Sequence, residues 1–171
     1  MGYTHYWTFK QPKKGTIRET ERLFQRAVAD CQLICRAWRD EHKGTMNSIS
    51  GFSAHATTGK YGGLHVNGKG ELAHEDFIIR ETFKLNFREE STNIGIPSGF
   101  NFCKTAQKPY DTVVVACLIV LKHYLKDLIE VSSDGDASDW LDGLNFASRV
   151  LKTKFSNPLG RGLRLEVNEA S

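Results

Sequence analysis

The sequence has no apolar stretch long enough to cross a membrane. The longest, Val113–Leu121, has nine residues, whereas a membrane-spanning helix needs about 20. The first residues, Met1 to Trp7, contain no basic segment followed by an apolar one, so no signal peptide is predicted. We therefore expect a soluble, cytoplasmic protein with no membrane partner.

Paired cysteines and a strong charge of one sign are also lacking. No CxxC pair occurs, which argues against a structural zinc site. The cysteines lie beside apolar residues and are predicted to be buried free thiols in a reducing compartment; they are Cys31, Cys35, Cys103 and Cys117. The net charge of +3 without a basic stripe gives no indication of a nucleic-acid partner.

Standard catalytic motifs are missing as well. There is no GxSxG, Walker loop, GxGxxG or HExxH. A single His-x-Thr step occurs at His55, whereas a two-histidine phosphoesterase needs two. His5, His74, Glu75 and Asp76 could offer metal ligands, but neighbours on a strand point to opposite faces and cannot all reach one ion. We expect neither a metal nor a cofactor.

The spacing of apolar residues along the sequence predicts its strands and helices. An apolar content of 40% and a charged content of 25% are typical of one globular domain over residues 1–171. A loop is predicted from Thr45 to Gly63. The predicted elements, by period and end signals, are strand Tyr3–Phe9, helix Thr16–Gly44, hairpin strands Leu64–Glu71 and Ala73–Arg80, strand Gly99–Lys104, helix Pro109–Val131, helix Asp136–Leu151 and strand Leu163–Val167.

Strands joined by hairpins and followed by helices predict an α+β domain. We expect an antiparallel sheet of four or five strands, with about three helices packed mainly on one face. The helix that begins at Pro109 is so apolar that it should be central.

A polar junction precedes this apolar helix. Lys104, Thr105, Lys108 and Tyr110 crowd the boundary between a predicted strand and the predicted helix start at Pro109. Exposed N–H groups at a helix start, ammonium groups and a hydroxyl together favour an anion such as phosphate. Polar turns whose lysines point into water have the same composition, and that alternative stays open.

Aromatic and charged residues elsewhere complete the requirements of a ligand pocket. Tyr3, His5 and Trp7 share one face of the first strand and could stack on a purine or nicotinamide ring. A core role for this strand would explain them equally well. On the second hairpin strand, one face carries His74, Asp76 and Arg80. Arg80 could bind phosphate, and Asp76 or its neighbour Glu75 could bind ribose hydroxyls. Charge pairs between the two hairpin strands would explain this face equally well without a ligand.

Three blocks of this sequence resemble a family of small uncharacterised proteins from bacteriophages and bacteria. The blocks are Met1-Gly2-Tyr3-Thr4-His5-Tyr6-Trp7, the hairpin from Asn67 to Phe77, and Phe102-Cys103-Lys104-Thr105-x-x-Lys108-Pro109-Tyr110-Asp111. The resemblance implies a phage or prophage origin, and hence the host cytoplasm as location. It implies no activity.

Three functions from different classes are compatible with these residues. The first is a pocket, possible also between copies of a homo-oligomer, that sequesters a small phosphorylated or nucleotide ligand, as an anti-defence protein would by analogy. The second is a nucleotide phosphodiesterase or hydrolase that uses His5 or His74 as acid or base. The third is a protein-binding inhibitor of a host factor that acts through the Thr45–Gly63 loop.

Overall fold

The computed structural model describes residues 2–50, 63–87 and 98–160. Their elements confirm the predicted α+β class. In chain order they are β1 (Thr4–Phe9), α1 (Ile17–Glu41), β2 (Leu64–Val66), β3 (Phe77–Ile79), β4 (Phe100–Lys104), α2 (Asp111–Leu125), β5 (Ile129–Ser133) and α3 (Leu141–Leu151).

Strand β1 is the centre of a three-stranded antiparallel sheet with the order β4-β1-β5. In its register, His5 is paired with Cys103 on one side and with Ser133 on the other. The alternating side chains of β1 place His5, Trp7 and Phe9 in the interior. The first strand is therefore an inner strand of this sheet.

The hairpin β2–β3 forms a second sheet of its own, which corrects the prediction of one sheet with four or five strands. The edge of β4 next to the hairpin contacts Glu75 instead of continuing the ladder. Lys104 N donates to the carboxylate Oε2 of Glu75 at 2.7 Å, and Glu75 N donates to Lys104 O at 3.2 Å. Because a side chain uses this edge N–H, no regular strand pairing follows. The predicted strand Leu163–Val167 and most of the predicted loop (51–62) lie outside the described residues.

Strand β5 was not predicted, because the preceding helix was expected to reach Val131 and a turn to follow it. Instead α2 ends at Leu125, and Lys126 has a positive φ of 51° before a short 3₁₀ turn. The chain then pairs with β1 from Ile129 to Ser133. This correction matters because β5 carries Ser133, which forms a hydrogen bond with His5.

Helix α2 is the centre of the core, as predicted. Every side chain from Val113 to Leu121 is buried, and α2 packs against both α1 and α3. The buried free thiols are confirmed too: Cys31 Sγ lies 3.6 Å from the Cys117 carbonyl oxygen that accepts its hydrogen bond. Although α2 is apolar, the described part of the chain contains no helix both long and apolar enough to cross a bilayer.

The close approach of α2 and α3 depends on Gly143. A Cβ at this position would lie 2.4 Å from Val115 Cγ1 and 3.1 Å from Ala116 N. The missing side chain therefore lets the start of α3 lie directly on the first turns of α2. This contact sets the width of the groove between the two helix starts.

We predict that Gly143→Ala destabilises the fold by about 1–3 kcal/mol, because the added methyl overpacks the helix contact. The sign is informative, since glycine to alanine inside a helix otherwise stabilises by about 1 kcal/mol. Chemical denaturation measures the change, with Asn145→Ala on the exposed side of α3 as control. The double variant Gly143→Ala with Val115→Ala should recover part of the loss. A Gly143→Ala protein as stable as the parent would contradict this contact.

Candidate functional site

The imidazole of His5 links three elements through a chain of hydrogen bonds. On one side its Nδ1 lies 2.8 Å from Ser133 Oγ of β5, and on the other its Nε2 lies 2.6 Å from Asp111 Oδ1 at the start of α2. His5 is 0% exposed. A buried polar group is tolerated only when its donors and acceptors have partners, and both ring nitrogens meet that condition.

The hydrogen-bond partners of His5 determine which of its ring nitrogens carries hydrogen. A carboxylate only accepts, so His5 Nε2 donates to Asp111 Oδ1. Thr105 Oγ1 donates to the same oxygen at 2.5 Å. At the other end Ser133 Oγ accepts the N–H of Gly135 at 3.0 Å, which leaves the serine hydroxyl proton for His5 Nδ1. The order serine–histidine–aspartate is that of a nucleophile, a base and an orienting acid.

The loop before α2 is fixed to the start of β1. The carbonyl of Tyr3 accepts two N–H groups, from Thr105 at 3.0 Å and from Ala106 at 3.2 Å. Ala106 and Gln107 both have positive φ, 51° and 55°. Two consecutive residues other than glycine in this region are strained, and the tertiary contacts hold them there. This turn directs Asp111 back toward His5.

A polar groove of about 330 Å³ lies above the His5 chain, between the starts of α2 and α3. Its volume is at the lower end of the range for small-molecule sites, ~300–1,000 Å³. The side of Asp111 that is not bound to His5 reaches this groove, and 15% of that side chain is exposed. The lining is mostly polar and comprises Tyr3, Gln107, Lys108, Pro109, Asp111, Thr112, Val115, Ser138, Asp139, Asp142 and Gly143.

The hydroxyl of Tyr3 is an unsatisfied donor at the groove. Its ring lies edge-on to His5 with centroids 5.1 Å apart, and within the described chain its Oη is buried with no hydrogen bond of standard geometry. Burial, and then the negative charge of Asp111, raise the pKa of the Tyr3 phenol to about 12, and the nearby Ser133 hydroxyl offsets only part of that rise. The phenol is therefore a neutral donor at any ordinary pH.

The charge of the groove is dominated by carboxylates. Three aspartates line it, Asp111, Asp139 and Asp142, and among the described lining residues Lys108 carries the one ammonium group. Within the described ranges no group of three or more His, Cys, Asp or Glu side chains is arranged to hold a metal ion. The groove therefore presents acceptors for hydroxyl or amino groups over most of its length and one site for an anion.

Three predicted ligand residues lie together in a second cavity, of about 80 Å³, beside the hairpin. Trp7, Asp76 and Arg80 line it with Asn86 and Asn101. Trp7 itself is a core residue, only 2% exposed, as the alternative interpretation of the first strand required. The predicted pocket is therefore divided between two places in the structure, with Tyr3 and Lys108 in the groove.

The remaining predicted residues line neither cavity. His74 is exposed on the hairpin, and the side chain of Lys104 lies beside Gly2. Tyr110 is fully buried and its hydroxyl donates to the carbonyl of Glu75 at 2.7 Å. Thr105 is also fully buried, with its hydroxyl engaged by Asp111. The helix start predicted as an anion seat thus carries the carboxylate of Asp111 instead.

Two members of the site, Asp111 and Ser133, were not selected from the sequence. Asp111 stood in the quoted junction, and an acid in the first turn of a helix is a known signal. No comparable signal marks Ser133, because only the pairing of β5 with β1 brings it to His5.

We predict that His5→Gln mainly destabilises the protein, by about 2–4 kcal/mol. The substitution disrupts two buried hydrogen bonds and leaves their partner atoms unpaired. For a domain of this size that corresponds to a Tm lower by about 5–15 °C. Calorimetry measures the shift. His74→Gln on the exposed hairpin is the matched control and should melt like the parent. An unchanged Tm for His5→Gln would show that the buried chain adds nothing to stability.

Comparison with known protein families, with curated proteins and with solved structures found no match to this chain. Its function is therefore inferred from the geometry of its own side chains.

Proposed function

We propose that this chain binds and sequesters, without cleaving it, a small phosphorylated ligand the size of a mononucleotide. The observation that carries the proposal is the groove of about 330 Å³ lined by Lys108, three aspartates and Tyr3. A phage protein of this kind would withdraw a nucleotide signal from its host, in line with the origin that the resemblance implies.

The state of His5 favours binding over hydrolysis. A general base has to reach the proton that it abstracts, directly or through one water. His5 is fully buried, and both of its nitrogens are engaged by Ser133 and Asp111. Neither His5 nor Ser133 lines the groove. The chain of hydrogen bonds therefore positions Asp111, the member that reaches the surface. His74, the other candidate base, is on the hairpin and does not line the groove either.

The charges of the groove define the orientation of the ligand. Among the described residues that line the groove, Lys108 is the one cationic side chain, so we place the phosphate of the ligand beside it. A plain phosphate would be repelled by Asp139 and Asp142, which also line the groove. Ribose hydroxyls or an exocyclic amino group would instead donate to those carboxylates. A ligand with an anionic end and a donor-rich end satisfies both.

We predict that a nucleotide that binds and stabilises the protein is recovered from it chemically intact. A panel of mononucleotides and cyclic nucleotides is screened by thermal shift. Ligands that raise the Tm are then incubated with the protein, recovered after denaturation and analysed by chromatography. Recovery of a cleaved product would favour the hydrolase over sequestration. If no member of the panel raises the Tm, the phosphorylated-ligand proposal fails.

Lys108→Ala should weaken binding of that nucleotide about 10- to 150-fold, because a charge-assisted contact contributes about 1.5–3 kcal/mol. Lys13→Ala, an exposed lysine in the turn before α1, is the control. Isothermal titration calorimetry gives both affinities. Equal losses in the two variants would mean that the effect is one of overall charge and not of the groove.

Asp142→Asn tests whether hydrogen-bond donors of the ligand lie at Asp142, because the affinity for the ligand should fall if they do and rise if they do not. If the carboxylate accepts hydroxyl or amino groups of the ligand, the variant should bind about 3- to 10-fold more weakly, as expected for one hydrogen bond. If the ligand offers only negative charge there, removal of the repulsion should strengthen binding. Asp127→Asn, outside the groove, is the matched control. Stronger binding by Asp142→Asn would overturn the proposed orientation.

A further inference from the structure

A buried donor beside the hairpin cavity has no hydrogen-bond partner among the residues that the structure describes. Trp7 is 2% exposed, lines this cavity of about 80 Å³, and its indole Nε1 has no hydrogen-bond partner in the described chain. Native proteins leave few buried polar atoms unpaired, and each such atom calls for an explanation. A ligand atom that accepts from Nε1 provides one.

The cavity also has one positively charged and one negatively charged side chain, Arg80 and Asp76. Arg80 is exposed, and its guanidinium makes no ion pair or side-chain hydrogen bond with any described residue. Asp76 is held in place by Asn67 Nδ2 at 2.7 Å and His65 Nε2 at 3.1 Å. Those contacts, first that of Asn67, lower the pKa of Asp76, so it stays a carboxylate. The cavity thus offers a cation, an indole N–H and an anion together.

Apolar side chains surround this polar centre. Ile78, Leu85 and Phe102 all line the cavity and are 44%, 52% and 44% exposed. Exposed large apolar side chains grouped at one concave site mark a place where an apolar ligand group can be buried. The volume of about 80 Å³ excludes a nucleotide and suits a compact head group.

We propose that this cavity binds a free apolar α-amino acid. Its carboxylate accepts from the Arg80 guanidinium and from Trp7 Nε1, and its ammonium group donates to Asp76. The apolar side chain lies outward on Ile78, Leu85 and Phe102. The zwitterion explains why both charges and an unpaired indole N–H line one small cavity. This site is separate from the groove and does not depend on the function proposed there.

Leucine, N-acetyl-leucine and leucinamide test the proposal, because the two analogues remove one charge each. The full chain is labelled with ¹⁵N-tryptophan, and its three tryptophans give three indole resonances. We expect leucine to shift one of them, and calorimetry to show at least tenfold weaker binding of each analogue. If leucine causes no shift at about 10 mM, a concentration that would half-saturate even a weak site, the proposal is overturned.

Variants on the surface locate the site without disturbing the core. Arg80→Gln should weaken leucine binding at least tenfold, whereas Arg18→Gln, an exposed arginine on α1, should not change it. Binding that survives Arg80→Gln would place leucine elsewhere and overturn the assignment. N-acetyl-leucine binding as tightly as leucine would exclude the role of Asp76 and favour a carboxylate ligand such as a peptide C-terminus.

Discussion

The imidazole of His5 is buried between a sheet and a helix, and that placement is stable only while both ring nitrogens have partners. Ser133 on β5 and Asp111 at the start of α2 are those partners. One side chain therefore fixes the positions of three elements relative to one another. The groove opens above these hydrogen bonds, so the same contacts that stabilise the fold hold the exposed side of Asp111 in place at the groove.

Helix α2 provides the rigid base for this arrangement. Its side chains from Val113 to Leu121 are buried, so the helix cannot shift without exposing apolar surface or opening cavities. Gly143 allows α3 to lie directly on its first turns. The groove is consequently lined by the first turns of two packed helices and by the turns that precede them, with Lys108 in the segment before α2.

The two cavities differ in the ligand chemistry that they support. The groove has acceptors over most of its length and a single ammonium group, which fits a ligand with hydroxyl groups and one phosphate. The cavity at Trp7 is smaller, contains both charges and has an apolar rim. Their separation explains why the sequence, which combined Tyr3, Trp7, Arg80 and Lys108 into one pocket, described a site that the fold divides in two.

Local pattern determined much of this protein. Alternation predicted β1 as a strand, and apolar periodicity predicted α1 and the central α2, because each signal lies within a few neighbouring residues. The two hairpin strands were predicted as well, but residues 67–76 connect β2 to β3 and include a short 3₁₀ turn, and neither Asn67 nor Gly68 has the positive φ of a tight Asn-Gly turn. The tertiary structure alone decided the rest. Ser133 meets His5 across 128 positions and Asp111 meets it across 106, and neither contact leaves a trace in local spacing. Strand β5 was hidden because the helical spacing of Leu121, Tyr124, Leu125 and Leu128 continues past the end of α2. The positive φ of Lys126, the short 3₁₀ turn and the pairing with β1 separate the strand from the helix.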